Sequence, residues 1–276
     1  MREIRPRTPS QWLLVAAALL YAAVLLLAPI VAIVQKALEA GVGAMLDALS
    51  EPVVLHALQI TFFITLGAVA INTVMGIVIA WVLTRQRFPG KRLLNLLVDI
   101  PFVFSPVIAG YTLIVLFGRT GWFAPTLFPV VFSVPGVLIA TTFVSLPFVA
   151  REVGPVLAAL DREPEDAAYT IGASRWLTFR RIILPGIWPG ILYGVVLTLA
   201  RALGEFGAAA VAGGGIEGQT ETATLFVFRA LNDRNEAGAY GMSLLLGLVA
   251  ILVLILMRLL RRNTVTEHSA HVDHPG

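Results

Sequence analysis

Six long apolar runs divide the chain, at about 12–34, 58–84, 93–117, 130–150, 187–212 and 239–260, separated by charged stretches or by clusters of Pro and Gly. A helix rises 1.5 Å per residue, so about 20 apolar residues cross the roughly 30 Å hydrocarbon layer of a bilayer. Every run reaches that length, and the pattern predicts an all-α polytopic membrane protein with six transmembrane helices. Charge between the runs then sets the orientation. Of 20 Lys and Arg, 15 fall before the first run, in 85–92, in 151–186 or at the C-terminal end of the last run and just beyond it, whereas Lys36, Arg119, Arg229 and Arg234 occupy the alternate loops and Arg201 lies inside a run. This bias predicts both termini in the cytoplasm. The expected organisation is a cytoplasmic N-terminus at 1–11, a transmembrane domain at 12–262 carrying a cytoplasmic loop at 151–186, and a disordered polar tail at 263–276. The first run follows Arg2, Arg5 and Arg7 as a signal peptide would. Its apolar stretch is too long for one and no small-residue cleavage site precedes Gln35, so it reads as a retained anchor helix.

Composition narrows the class. Hydrophobic residues make up 58% of the 276 and charged residues 13%, against about 25% charged in soluble domains. A disordered chain, a nucleic-acid module and a soluble enzyme are excluded. The net charge of +3 needs no nucleic acid, because the basic residues flank helix ends where anionic lipid heads lie. With no cysteine, disulfides, iron–sulfur clusters and cysteine-ligated zinc are excluded. Nor is there a phosphate-binding Gly-x-x-x-x-Gly-Lys-Ser/Thr loop, the nearest fragment being Gly90-Lys91-Arg92. Gly-x-Ser-x-Gly and His-Glu-x-x-His are also missing. The chain therefore reads as no enzyme and as binding no nucleotide itself. His268, His271 and His274 recur every third residue in the polar tail, and no metal site is assigned to them.

The third and fourth runs are punctuated by Pro101 and Pro106, and by Pro135 and Pro147. Each proline removes a backbone donor, and in a bilayer such breaks persist only where neighbouring helices or water satisfy the freed carbonyls. Gly190 and Gly194 form a small-xxx-small face in the fifth run, which permits close helix approach. Ionisable residues within membrane spans are functional candidates by default. Arg201 and Glu205, four apart near the middle of the fifth run, can pair on one helix face. Two readings of them stand: a cationic waypoint for an anion with Glu205 tempering the attraction, or a self-neutralising structural pair. Asp99 reads as a partner for Lys91 or Arg92.

The loop at 151–186 is amphipathic. Pro164 followed by Glu165 and Asp166 is a helix-start signal, Gly172 ends that helix, and Ser174 is the N-cap of a second one. The second carries Trp176, Leu177, Phe179 and Ile182 against Arg175, Arg180 and Arg181, and Pro185 closes it. Two short helices joined at a glycine, projecting with exposed aromatic side chains, suit docking into a groove of another protein. The alternative is an amphipathic helix lying on lipid.

The spacing Asp166-Ala167-Ala168, three residues, Gly172, nine residues, Ile182, one residue, Leu184-Pro185 resembles the EAA loop of ABC-importer permeases, with Asp166 where that family carries Glu. Over about 55–262 the chain is similar to the sulfate, thiosulfate and molybdate permeases. Asp99-Ile100-Pro101-Phe102, Ser105 to Gly110, and Pro147 to Glu152 carry the likeness. Leu192 to Ala208 and Gly215 to Thr222 resemble the sulfate/thiosulfate subunits of the CysW type. The resemblance implies a type I ABC-importer permease fold in a bacterial inner membrane. It implies a coupling loop formed by Glu165, Asp166, Ala167, Ala168, Gly172, Arg175, Trp176, Phe179, Leu184 and Pro185, seated in a cytoplasmic ATPase. ATP and Mg would sit on two such ATPase subunits. A second, related permease subunit and an extracytoplasmic oxyanion-binding protein would complete the importer. Arg201, Glu205, Ser105 and Pro106 are the candidate pathway residues, since backbone amides at broken helices offer an anion mild attraction. The expected function is ATP-driven import of a tetrahedral oxyanion, sulfate or thiosulfate, by alternating access. A molybdate or tungstate permease, or a stand-alone ion-coupled carrier or channel, are the alternatives.

Overall fold

The structure, a computed structural model, describes residues 8–124 and 129–270, with side chains as far as 255. In chain order its helices are α1 (Pro9–Ala40), α2 (Val42–Leu49), α3 (Pro52–Arg85), α4 (Lys91–Val103), α5 (Pro106–Phe117), α6 (Val134–Ala159), α7 (Glu163–Thr170) and α8 (Arg175–Thr178). A five-residue π-helical segment, Phe179–Ile183, leads into α9 (Leu184–Leu203), followed by α10 (Gly207–Gly213), α11 (Ala223–Asn232) and α12 (Glu236–Ala270). Five helices are long and apolar enough to cross a bilayer, and α4 with α5, bent by 113°, makes a sixth span if counted as one. Among the described residues the fold is all-α, and the chain is a multi-pass membrane protein.

Two compact units divide the chain, one from Met1–Glu51 and Val227–Leu245, the other from Pro52–Phe226 and Leu246–Gly276. In the first, α1 opens with a capping box: Thr8 accepts from the Gln11 backbone, the Gln11 side chain accepts from the Thr8 N–H, and Pro9 sits where no donor is needed. Only Ala37 of α1 is buried, and Leu, Val and Ile line it all round, as suits a helix facing lipid. Bare backbone at Gly241 meets α2, where an added Cβ would stand 2.5 Å from Met45 Cγ.

The second unit is built on α3, α6 and α9. Lipid tails are as apolar as leucine, so helices here associate through close packing and interhelical hydrogen bonds. Both devices are present. A Cβ at Gly76 of α3 would lie 2.6 Å from Val149 Cβ on α6, and one at Gly194 of α9 would lie 2.5 Å from Val149 Cα. Gly190 meets the α6 backbone in the same way, 2.8 Å from the Glu152 carbonyl oxygen. Asn72 Nδ2 of α3 donates to Ser145 Oγ at 2.9 Å and to the Thr142 carbonyl at 3.1 Å. Ala80, Val149, Val153, Leu157, Ile183 and Ile187 fill the space between these helices.

Four expectations are corrected. The fourth run does not end near residue 150: α6 continues to Ala159, because Val153 and Leu157 keep the buried periodicity, and Pro147 and Pro155 are absorbed within the helix. Pro185 does not close a helix. The preceding residues widen into the π-helical segment, with Leu184 N–H donating to Phe179 O, and the chain runs helically from Arg175 to Leu203. The fifth run is not one span to 212, since α9 stops at Leu203 and α10 starts afresh at Gly207. Finally, α12 extends to Ala270, well into the tail expected to be disordered. No Pro or Gly interrupts Asn263–Ala270, the next being Pro275. Arg2, Arg5, Arg7, His271 and His274 lie outside the described residues, and so does the side chain of His268.

Candidate functional site

Two places gather the residues singled out from the sequence. The first is the turn between α6 and α9. Three acidic residues stand in the first turn of α7, as its dipole favours. Gly172 follows in left-handed geometry at φ +84, with its N–H on the Tyr169 carbonyl at 3.0 Å and that of Ala173 on the Ala168 carbonyl at 2.9 Å. These two bonds are a Schellman-type ending. Ser174 then caps α8 by accepting from the Leu177 N–H at 3.3 Å.

Adjacent acids of α7 face opposite ways. Glu165 and Ala168, three apart, are the buried residues of this helix, while Asp166, Ala167, Tyr169 and Thr170 are exposed. Beyond the turn, Trp176 is 69% exposed and Arg175, Arg180 and Arg181 also face outward. Phe179 does not share that exposure. It is half-buried, stacked on Trp176 at 5.8 Å and edge-on to Trp81 of α3 at 6.2 Å. Leu184 and Pro185, read as the loop's end, belong to the helix that continues into α9.

Glu165 meets a residue that sequence reasoning left among the basic flanks. Its Oε1 accepts from Nη2 of Arg85, the last residue of α3, at 2.6 Å, with the side chains only 11% and 8% exposed. The two are 80 residues apart, and no local spacing announces them. A second unforeseen pair joins α4 to α6. Arg151 donates to Asp99 Oδ1 at 2.8 Å, to Asn95 Oδ1 at 2.9 Å and to the Asn95 carbonyl at 3.0 Å. Asp99 therefore takes Arg151 and not Lys91 or Arg92. The usable signal was the four-residue spacing of Asn95 and Asp99, which puts both on one face of α4.

The second place is where two helices break. Arg201 Nη1 and Glu205 Oε2 pair at 2.7 Å as expected from their spacing. They do not lie mid-helix: Arg201 is in the last turn of α9, and Glu205 is in the break between α9 and α10. Glu205 is buried, and its other oxygen accepts from the Ala208 N–H at 2.8 Å, closing the start of α10. Thr224 Oγ1 donates to the Glu205 carbonyl at 2.7 Å, and the Ala223 N–H donates to Thr61 Oγ1 at 2.7 Å. Ser105, which makes no side-chain bond to the helix it precedes, and Pro106 begin α5 after the other break. A Cβ on Gly207 would stand 3.1 Å from Val107 Cγ2 and 3.3 Å from Pro106 Cβ. The two breaks, read separately in the sequence, thus adjoin.

Residues 72–265 match the model of the family described as "Binding-protein-dependent transport system inner membrane component". The chain is 45% identical over 258 residues to the sulfate transport system permease protein CysW of Synechocystis sp., covering 92% of this chain and 94% of that protein. It is 35% identical over 248 residues to the sulfate transport system permease protein CysT of the same organism, covering 88% and 87%. Among solved structures, a bacterial ABC transporter involved in the import of the acidic polysaccharide alginate shares the fold, at a TM-score of 0.76 and 17% identity over 92% of this chain and 96% of that one.

Proposed function

Because the chain belongs to the binding-protein-dependent transport system inner membrane component family, we propose that it is a non-catalytic membrane subunit of an ATP-driven sulfate importer. The observation that carries the coupling is the outward face of α7 and α8. Asp166, Ala167, Tyr169 and Trp176 are exposed, on a glycine-jointed turn that fits a groove in a cytoplasmic ATPase. Two ATPase subunits, carrying ATP and Mg, would grip this turn and its counterpart on a second permease. The match to both a CysW and a CysT of one organism supports a related, non-identical partner. An extracytoplasmic binding protein would deliver the anion to the face opposite the basic loops, with both termini in the cytoplasm.

A dianion needs spread-out attraction, since a deep site would hold it. The adjoining breaks supply that. Arg201 keeps a partly exposed guanidinium and Ser105 an exposed hydroxyl at an uncapped start of α5, and we place both along the anion's route. Glu205 and Pro106 shape the breaks. ATP binding would draw the coupling turns together and bias the helices from inward-open to outward-open, and hydrolysis would reset them.

The test is uptake of labelled sulfate into proteoliposomes holding the assembled transporter, with thiosulfate, molybdate and tungstate as competitors. Sulfate uptake that needs ATP and resists molybdate is expected. Uptake that survives ATP depletion would end the importer reading. Asp166→Arg should abolish substrate-stimulated ATP hydrolysis and leave membrane insertion intact. Unchanged stimulation would remove α7 from the coupling interface.

A further inference from the structure

Building on that importer reading, we propose that Arg85 and Glu165 form the pin through which movement of the coupling turn reaches the membrane helices. Both are positioning residues, acting through α3. Two contacts converge on the C-terminal end of α3. Glu165 is the charged member of the two-residue inner face of α7, and its carboxylate meets Arg85 at 2.6 Å in a nearly dry site. One turn earlier on the same face of α3, Trp81 makes a T-shaped contact with Phe179, which in turn stacks on the exposed Trp176. Both arms of the coupling turn therefore grip one helical turn, at residues 81 and 85. From there α3 is locked along its length to α6, by Gly76 against Val149 and by Asn72 on Ser145 and Thr142.

The pair is poorly explained by stability. Desolvating two charges costs about as much as their attraction returns, and here Arg85 Nε is buried with no hydrogen-bond partner. The geometry serves direction instead. A charged pair of this kind fixes which face of α7 is presented and resists its rolling, whereas Ala168, a single methyl beside it, resists neither. With the pin in place, a push on Asp166 and Trp176 displaces α3. Without it, α7 can turn under the ATPase and the stroke is lost.

The experiment uses the assembled transporter in proteoliposomes, with labelled sulfate and its binding protein, and reads sulfate imported per ATP hydrolysed. Co-purification of the ATPase is measured on the same samples. Arg85→Gln and Glu165→Gln should each retain the ATPase and lower the ratio about five-fold. The exchange Arg85→Glu with Glu165→Arg should bring it back to within about two-fold of wild type. Singles with a wild-type ratio, or an exchange as uncoupled as the singles, would overturn the proposal. Loss of ATPase co-purification in the singles would overturn it too, since it would make the pair a docking element. Should the neutral variants not accumulate, Arg85→Lys, which keeps charge and shortens reach, should lower the ratio about two-fold, and an unchanged ratio would overturn the proposal. A wild-type complex with no ATP-driven sulfate uptake would instead sink the importer reading on which this rests.

Discussion

Glu205 answers several needs with few atoms. One carboxylate oxygen closes the start of α10 and the other holds Arg201, while its carbonyl accepts from Thr224. Of the two readings of Arg201 and Glu205, we read Glu205 as structural from these bonds, with Arg201 open to both. The two uses of Arg201 separate experimentally. Arg201→Ala strands a buried carboxylate, at a cost of about 3–5 kcal/mol, and should lower the Tm of the purified complex. Adding Glu205→Gln removes the stranded charge and should restore part of that Tm. If sulfate uptake stays low in the double variant, Arg201 attracts the anion. If uptake recovers with Tm, its work is structural.

At the scale of elements, the glycine face of α9 makes a sharper demand than the prolines do. Gly194→Val would drive a side chain into the α6 backbone and should destabilise the subunit by about 1–3 kcal/mol, seen as a lower Tm. Gly247→Ala on α12, where an added Cβ meets nothing, should leave Tm unchanged or raise it slightly. The spans were legible because a bilayer asks one thing of a helix, some 20 apolar residues, and the runs meet it almost everywhere. The Gly172 ending and the Ser174 cap were legible for a similar reason, as local chemistry within four residues. What escaped was long-range or compensated. Pro185 reads as a stop, yet the π-helical segment before it opens the turn that its ring would otherwise clash with. The interruption at 204–206 hides inside an apolar run, because it is made by a side chain capping the next helix and leaves no polar cluster. Arg85 finds Glu165, and Arg151 finds Asp99, only once α3, α4, α6 and α7 are folded together.

For the whole molecule, the orientation proposed from the basic loops can be checked with few changes, since the chain has no cysteine to remove. An impermeant maleimide should label the single variant Arg119→Cys in intact spheroplasts, and Arg87→Cys only after the spheroplasts are lysed. The reverse pattern would invert the topology. A larger consequence follows from the position of Val149, clasped between Gly76 on one side and Gly194 on the other. It works as a keystone: backbone comes close to it on both sides, and that close approach resists shear of α3, α6 and α9 past one another. Whatever doorway this protein opens, these three helices are expected to swing together as one lever, with the give left to chain that is already bent.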